Sequence, residues 1–558
     1  MRKILSIVLS FFLVFSLAVP AFAGIDRNET RSQIPVIRIS GDGEALYNSE
    51  GERIMHFRGL LEGNDDEDEG DNAMYESIAN VLLPFLIEGA LFDNWEPYYE
   101  NLQKEIGELF GEALLDPNGE PIEGTGLPQR VLDEMEYNRT HDKKIGKGFY
   151  AYDDYWFKYD WRLDPLKTAD DFNDYIKCIK NVTGAQKVGI ISSCLGTNVV
   201  TAYIAKYGTD DLNGVTFDGG VAYGSEVLSE TISGKFKVDG NAIERVLIDC
   251  ANYGFFDVGS FLISTIDLLS ASGMLDAVVG VTKEHLYYKI LEGVTSALSL
   301  STFFTWPNYW GAVTSEDFDT ALNYVFGKEG SEKRKEYAGL IEKIIEYDEV
   351  VRQNIPEIMQ SIVDNGVNLG IMSKYGSQMI PVCESSDLVS DQIASVYRAS
   401  YGATTSTIYD TLSDEYISAQ QKAGLGRYIS PDKQIDASTC MFPDYTWFYK
   451  GATHSNWTSY EIKILYDVAT ADKQLTVDDF EWGQFIVYNN ENDTAYKMTE
   501  DNCNTEAWEA DKENDAPESP YVKLLVFIKS LLNWFREFFK VISEKLPGNS
   551  ILPTAPAE

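Results

Sequence analysis

The hydrophobic positions of the chain follow two repeats, and each repeat predicts one type of element. Short unbroken runs of apolar and β-branched residues predict buried strands, over residues 34–39, 187–191, 214–217, 367–372 and 445–449. Apolar residues spaced three and four positions apart predict helices, over residues 75–115, 168–179 and 197–207. Because strands and helices alternate along the chain, the pattern predicts an α/β fold around a mostly parallel sheet.

The regions outside this alternation are assigned from their own patterns. Residues 226–365 are largely helical in pattern, which predicts a large cap inserted over the sheet and divides the core into 24–225 and 366–470. Residues 471–520 are interpreted as a small C-terminal extension and linker. In 521–546 an apolar stripe predicts an amphipathic helix, which docks on the protein itself, mediates self-association or lies at a membrane interface.

The chain begins with a segment typical of a secretory signal peptide. Arg2 and Lys3 precede an apolar run that ends in the small-residue sequence Ala-Phe-Ala at 21–23. The run is too short, and too closely followed by a cleavage site, to predict a membrane span. We therefore expect residues 1–23 to be removed and the mature protein to be secreted, in the manner of a bacterial exported protein.

Composition and charge exclude several classes of protein. The chain carries 88 Asp and Glu against 46 Lys and Arg, a formal net charge of −42, so a nucleic-acid backbone would be repelled. Six cysteines in 558 residues do not indicate the disulfide framework of a small secreted domain. No spacing typical of a zinc site or a calcium loop occurs, so the sequence predicts neither a metal nor a cofactor.

The most informative chemical motif lies between a predicted strand and a predicted helix. Residues 192–196 read Ser-Ser-Cys-Leu-Gly, which matches the nucleophile elbow Gly-x-Ser-x-Gly with Cys194 in place of the central serine. The elbow is a strained turn that needs small flanking residues, which Ser192 and Gly196 provide. Cys194 is therefore the candidate nucleophile. The alternatives are a structural cysteine, or Ser193 as nucleophile, for which Gly196 is out of register.

Only one histidine has the local sequence expected of a base for this nucleophile. In this type of fold the chain order is nucleophile, acid, histidine, so the base must follow residue 194. His56 and His141 precede the elbow, and His285 lies within the predicted cap. His454 follows a predicted strand through a short glycine loop, and we therefore select His454 as the candidate base.

The acid that orients the histidine is less well determined by the residues themselves. It must lie between the cap and His454, where residues 430–440 contain Asp432 and Asp436. Asp387 is a weaker third candidate. Most aspartates of an acidic protein are merely solvated, so composition alone does not decide among the three.

Several segments together resemble one family, the lecithin:cholesterol acyltransferase and lysosomal phospholipase A2 group of α/β-hydrolases. Residues 35–43 look like its first strand and oxyanion glycine loop, and 159–162 match its Tyr-Asp-Trp-Arg segment. Residues 188–204 are similar to its elbow strand and helix, and 219–225 to the segment that follows. The resemblance implies an α/β-hydrolase fold in which Asp160 and Arg162 brace the site.

The resemblance also assigns further residues of the site. It implies an oxyanion hole formed by the backbone N–H of Leu195 and one N–H from Gly41, Asp42 or Gly43. It aligns Asp432 with the family's acid motif Asp-Gly-Thr-Val, here Asp-Lys-Gln-Ile, and so favours Asp432 over Asp436. The sequence departs from the family at the nucleophile, which is cysteine, and at the preceding residue, which is serine rather than histidine.

These residues predict acyl transfer through a Cys-His-Asp triad. A thiolate would attack an ester or thioester carbonyl and pass the acyl group to water or an alcohol, so we expect a secreted acyl-ester hydrolase or acyltransferase. The resemblance and the large apolar cap imply a lipid or another acyl ester as substrate. The alternative is a catalytically inactive protein of the same fold that binds a lipid or a surface polymer.

Overall fold

The structure is a computed structural model, and it describes a defined part of the 558-residue chain. The described residues are 32–41, 44–51, 53–55, 84–90, 92–122, 124–152, 155–237, 283–379, 384–408, 410–454, 457–489 and 493–503. The predicted signal peptide, the middle of the predicted cap and the predicted C-terminal helix lie outside these residues.

A single eight-stranded sheet forms the centre of the described structure. Its strands are β1 Val36–Ile39, β2 Tyr155–Trp156, β3 Val188–Ser193, β4 Leu212–Asp218, β5 Asn368–Tyr375, β6 Thr446–Lys450, β7 Phe485–Asn489 and β8 Thr494–Lys497. They lie in the order β8-β7-β6-β5-β4-β3-β1-β2. All neighbouring strands are parallel except β7 and β8, which form an antiparallel pair at one edge.

Helices connect and cover the strands. They are α1 Glu96–Phe110, α2 Gln129–Thr140, α3 Pro165–Thr183, α4 Gly196–Tyr207, α5 Glu226–Ile232, α6 Lys283–Ser301, α7 Pro307–Trp310, α8 Phe318–Phe326, α9 Glu332–Glu336, α10 Ala338–Val350, α11 Ile355–Asp364, α12 Val396–Ala399, α13 Asp414–Lys422 and α14 Ser459–Thr470. No helix in the described ranges combines the length and the apolar character needed to cross a membrane.

The central strands are apolar along their whole length because both faces of the sheet are covered. Every residue of β3 and of β5 is buried, as expected for parallel strands between helical layers. On one face, α14 packs against β3, β4 and β5, with Ile462 and Leu465 in the core. On the other, α4 packs against β3, α3 and α11, and α11 packs against β5.

The predicted α/β architecture is confirmed, and the element bounds differ by a few residues. The strand predicted over 187–191 extends to Ser193, and the helix predicted from 197 begins at Gly196. Within 471–520, β7 and β8 join the central sheet, because β7 pairs in parallel with β6 through Phe448 and Phe485. The described parts of 226–365 are mostly helical, from α5 to α11.

The strand order places the candidate nucleophile and the candidate base at the carboxyl ends of the central strands. The chain moves from β3 through α4 to β4, and then through the helical insertion to β5 and β6. In parallel sheets with this connection the carboxyl ends of the strands line a crevice where ligands bind. Cys194 follows the carboxyl end of β3, and His454 follows that of β6. This is the topology of an α/β-hydrolase fold.

Candidate active site

Cys194 occupies a strained turn between β3 and α4. Its φ is 49°, a left-handed conformation that non-glycine residues rarely adopt. Its backbone N–H donates to the Asp218 carbonyl at the end of β4, 3.3 Å away. A Cβ on Gly196 would lie 2.8 Å from the Ile39 carbonyl oxygen, so the turn requires glycine at that position. The structure therefore has the nucleophile elbow predicted from residues 192–196.

Thr197 fixes the elbow to the next loop. Its hydroxyl donates to the Cys194 carbonyl at 2.7 Å and accepts from the N–H groups of Val221 and Ala222 at 3.1 and 3.2 Å. A hydroxyl has one donor and two acceptor positions, and here all three are used. The turn that holds Cys194 is thereby tied to the loop that follows β4.

His454 is buried just beyond the carboxyl end of β6, with its side chain 3% exposed. Its Nδ1 lies 2.8 Å from Oδ2 of Asp391, and Nε2 is buried without a well-aligned partner among the described residues. Burial disfavours the imidazolium, but the Asp391 carboxylate and the Cys194 sulfur favour it more strongly. The pKa of His454 therefore lies well above its usual range.

Asp391 is held in place by its own loop as well as by the histidine. Its Oδ1 accepts from the N–H groups of Ile393 and Ala394 at 3.0 and 2.8 Å. Its carbonyl accepts the His454 N–H at 2.9 Å. The next residue, Gln392, has φ of 93°, so this loop is strained like the elbow. The carboxylate, fully buried, is thus aimed at the imidazole by backbone hydrogen bonds.

The acids predicted from the sequence do not reach His454, and the expectation for Asp432 is corrected here. Asp432 Oδ2 lies 2.9 Å from both Lys450 Nζ and the Tyr375 hydroxyl, in a buried pair of its own. Asp436 accepts from the Tyr416 hydroxyl at 2.9 Å and from a backbone N–H of the next turn. Asp387 is exposed.

Sequence reasoning missed Asp391 because the motif resemblance pointed to a later segment. The structure places Asp391 just after the short strand Val389–Ser390, in the connection between β5 and β6. The signal that could have identified it is the order of the predicted strands. An acid between the strands predicted over 367–372 and 445–449 is well placed to meet a histidine that follows the strand over 445–449. Asp391 lies in that interval, but so do other aspartates.

The first strand ends against the nucleophile. A Cβ built on Gly41 would lie 2.8 Å from the Leu195 backbone nitrogen and 2.9 Å from the Cys194 sulfur. Gly41 and the Leu195 backbone nitrogen therefore meet beside the thiol. Asp42 and Gly43, the other predicted members of that hole, lie outside the described residues.

We expect Gly41→Ala to slow acylation of Cys194 by about 10²-fold, the size of effect seen when an oxyanion donor is lost. The added methyl group must displace either the loop or the elbow, because the three nearest atoms it meets, the Leu195 nitrogen and the Cβ and sulfur of Cys194, all belong to the elbow. Single-turnover kinetics with an activated ester measures the change. Gly107→Ala is the matched control, since a Cβ there meets nothing within 4 Å. Equal rates in wild type and Gly41→Ala would contradict the close contact.

Residues 159–162 support α4, the helix that follows the elbow. Arg162 is fully buried and pairs with both carboxylate oxygens of Asp160. Its Nε donates to Oδ1 at 3.0 Å, and its Nη2 donates to Oδ2 at 2.7 Å. Asn308 donates to the Trp161 carbonyl at 3.0 Å, and its own side-chain oxygen accepts from Asn198 of α4 at 3.0 Å. The segment thus supports α4 through buried hydrogen bonds.

Asp160→Asn is expected to lower the free energy of unfolding by about 3–5 kcal/mol, because it leaves the Arg162 guanidinium buried without its carboxylate. Urea denaturation measures the loss. Asp174→Asn is the control, since the Asp174–Lys177 pair is largely exposed and contributes little. A loss as small as that of the control would show that Arg162 finds another partner.

Among the residues that the structure describes, no group of three or more His, Cys, Asp or Glu side chains is placed to hold a metal ion. Cys178, Cys194 and Cys440, which lie in the described part of the chain, carry free thiols.

Comparison with known proteins assigns neither a family nor a function to this chain. No protein-family model matches the chain, and no curated protein matches it in sequence. Among solved structures, a chain of the crystal structure of the Tle4–Tli4 complex is similar at 12% identity, over 61% of this chain and 75% of that chain, with a TM-score of 0.23. So weak a likeness says nothing about function. The order of the strands and the elbow after β3 make this chain an α/β-hydrolase-fold protein.

Proposed function

We propose that the protein is an acyl-ester hydrolase or acyltransferase that uses Cys194, His454 and Asp391. The proposal rests on one observation: the imidazole of His454 lies between a buried carboxylate and a thiol held at a strained elbow. A thiol, an imidazole and a carboxylate in this order form the arrangement that activates a nucleophile for acyl transfer.

The first half of the reaction forms a thioester. The thiol proton passes to Nε2 of His454, and the sulfur of Cys194 attacks the carbonyl carbon of the ester. The negative oxygen of the tetrahedral intermediate is stabilised by the Leu195 N–H, beside the Gly41 loop. The carbon–oxygen bond to the leaving alcohol then breaks, and His454 returns its proton to that oxygen. Asp391 keeps the imidazole oriented and stabilises its protonated form.

The second half transfers the acyl group. Water or an alcohol gives its proton to His454 and attacks the thioester carbonyl, and the Cys194 sulfur leaves and recovers the proton. A thioester reacts readily with a good acceptor, so the cysteine permits a transferase as well as a hydrolase. The ratio of ester to acid products, measured with an added alcohol, distinguishes the two.

Substrate and location belong to the same proposal. The resemblance to the lecithin:cholesterol acyltransferase group and the helical insertion between β4 and β5 support a lipid or another long-chain acyl ester. The signal-like residues 1–23 support a secreted, bacterial protein. The apolar stripe in 521–546 supports peripheral membrane contact or self-association through a C-terminal helix.

Pre-steady-state kinetics tests the proposal directly. Nitrophenyl esters of increasing chain length should give a burst of nitrophenol stoichiometric with enzyme, followed by slower turnover. Mass spectrometry should find the acyl group on the peptide that contains Cys194, and neutral hydroxylamine should release it as a thioester. Absence of any burst and any adduct across the series would reject the enzyme and favour a binding protein of the same fold.

A further inference from the structure

A lysine is buried in the sheet directly beneath the candidate site. Lys374 lies near the carboxyl end of β5, and its side chain is fully buried. Removing an ammonium group from water is costly unless oppositely charged groups and acceptors surround it. The mechanism described above does not use Lys374, so the burial of a charged group in this position requires another explanation.

Three oxygen atoms from three parts of the site surround the ammonium. Nζ of Lys374 lies 2.7 Å from Oε1 of Glu461 and 3.0 Å from Oδ2 of Asp218, both fully buried side chains. It also donates to the backbone carbonyl of His454 at 3.3 Å. Asp218 ends β4, next to the elbow, and Glu461 lies in the first turn of α14. The ammonium therefore joins the strand beside Cys194, the histidine loop and the helix after that loop.

Glu461 is itself fixed before it meets the lysine. It forms a capping box at the start of α14, in which its backbone N–H donates to the Thr458 hydroxyl at 3.2 Å and its carboxylate accepts the Thr458 N–H at 3.1 Å. The helix start, five residues beyond His454, is thus held by the cap, and the lysine anchors the cap to the sheet.

The main chain of His454 is held from both sides as a result. Its N–H donates to the Asp391 carbonyl at 2.9 Å, and its carbonyl accepts from Lys374 at 3.3 Å. The imidazole is held separately by the Asp391 carboxylate at 2.8 Å. Because its backbone and its ring are both held, His454 loses little conformational freedom when the imidazole faces the thiol.

The cluster places one ammonium group, that of Lys374, between the carboxyl groups of Asp218 and Glu461. Burial and the neighbouring Glu461 carboxylate raise the pKa of Asp218 well above its usual range, although Lys374 acts in the opposite direction. Arg38 faces the same region, stacked 4.2 Å from the Trp457 ring that Lys374 approaches at 5.8 Å.

We propose that Lys374 is a positioning residue for His454: the ammonium, fixed by Asp218 and Glu461, holds the His454 carbonyl so that the imidazole faces Cys194. The inference rests on the proposed function for the role of the imidazole. It predicts that loss of Lys374 slows the reaction of Cys194 without weakening substrate binding, because the side chains of the cluster are fully buried.

The test uses a charge-balanced pair of substitutions and a matched control. Lys374→Met with Glu461→Gln removes one positive and one negative charge at nearly constant volume. Lys450→Met with Asp432→Asn does the same to a second buried pair, 2.9 Å apart and 2% and 4% exposed, which does not contact His454. Both proteins are compared with wild type in ester turnover and in alkylation of Cys194 by iodoacetamide across the pH range.

The expected result is a fall in kcat of about 10²-fold at unchanged KM in the Lys374 pair. The pH profile of alkylation should also change to that of a thiol without an imidazolium partner. The Lys450 pair should keep both properties within about threefold, as for a change remote from the reacting groups. A Lys374 pair with the wild-type kcat and alkylation profile would overturn the proposal.

Two further outcomes are also decisive. If Lys374→Met with Glu461→Gln does not fold, Lys374→Met with Asp218→Asn gives a second balanced pair; failure of both to fold, where the Lys450 pair folds, would assign Lys374 to stability alone and overturn the proposal. If the wild type hydrolyses no ester, the proposed function fails, and the alkylation profile still decides the role of Lys374 because it needs no substrate.

Discussion

Cys194→Ala is expected to abolish the acyl adduct and to reduce ester turnover by at least about 10³-fold. The thiol is the atom that becomes bonded to the acyl group, so removing it eliminates the thioester route. Only the polarisation of the ester by the Leu195 N–H would remain. Initial rates with a nitrophenyl ester and intact-protein mass spectrometry measure the two effects.

The related substitutions separate chemistry from folding. Cys194→Ser keeps the shape of the elbow, and its adduct should be an oxygen ester that neutral hydroxylamine does not cleave. Cys178→Ala is the control, since Cys178 is also a free thiol with partial exposure but lies in α3. Full turnover in Cys194→Ala, or its loss in Cys178→Ala, would remove Cys194 from the mechanism.

Asp391→Asn is expected to lower kcat by about 10³–10⁴-fold while the protein still folds. An amide fills the same space, but it cannot stabilise the imidazolium that forms when Cys194 loses its proton. With the carboxylate gone, burial dominates, and the pKa of His454 should fall. The basic limb of the pH profile, where the imidazolium loses its proton, should therefore move to lower pH. NMR titration of the His454 ring measures the same shift.

The decisive comparison is with the acid that the sequence favours. Asp432→Asn should leave kcat of the folded protein within about threefold, because Asp432 pairs with Lys450 and Tyr375 rather than with His454. It should lower stability, since Lys450 then lacks its carboxylate. If Asp432→Asn lost activity as severely as we expect for Asp391→Asn, the acid would have to be reassigned.

Much of the fold could be predicted from the sequence, because its strands and helices have strong patterns of their own. The run 187–191 is apolar and ends in the elbow, so the strand, the turn at Cys194 and the helix after it follow from one short segment. His454 was found in the same way, from a strand followed by a glycine loop. In both cases the residue and the element that positions it are adjacent in sequence.

Asp391 could not be found by that route, because nothing local distinguishes it. It comes from a loop between β5 and β6 and meets the histidine 63 residues further along the chain. Asp391 is distinguished by the N–H groups of Ile393 and Ala394, which hold its carboxylate, and by the pairing of β5 with β6. Both exist only in the folded structure. Without these contacts, the choice of acid depends on the resemblance to the family's acid motif, which favours Asp432. Lys374 is a similar case, since a lysine inside an apolar strand gives no sign of its buried partners.

The origin of the three site residues in three separate connections has a consequence for how the protein matures. Cys194, Asp391 and His454 follow β3, the short strand Val389–Ser390 and β6, and these segments come together only when the sheet is complete. Contacts between such distant segments form late, after the entropy of closing long loops has been overcome. Under the proposed function, a partly synthesised or partly folded chain would carry the Cys194 thiol without the imidazole and carboxylate beside it, and acyl transfer would begin only in the finished molecule.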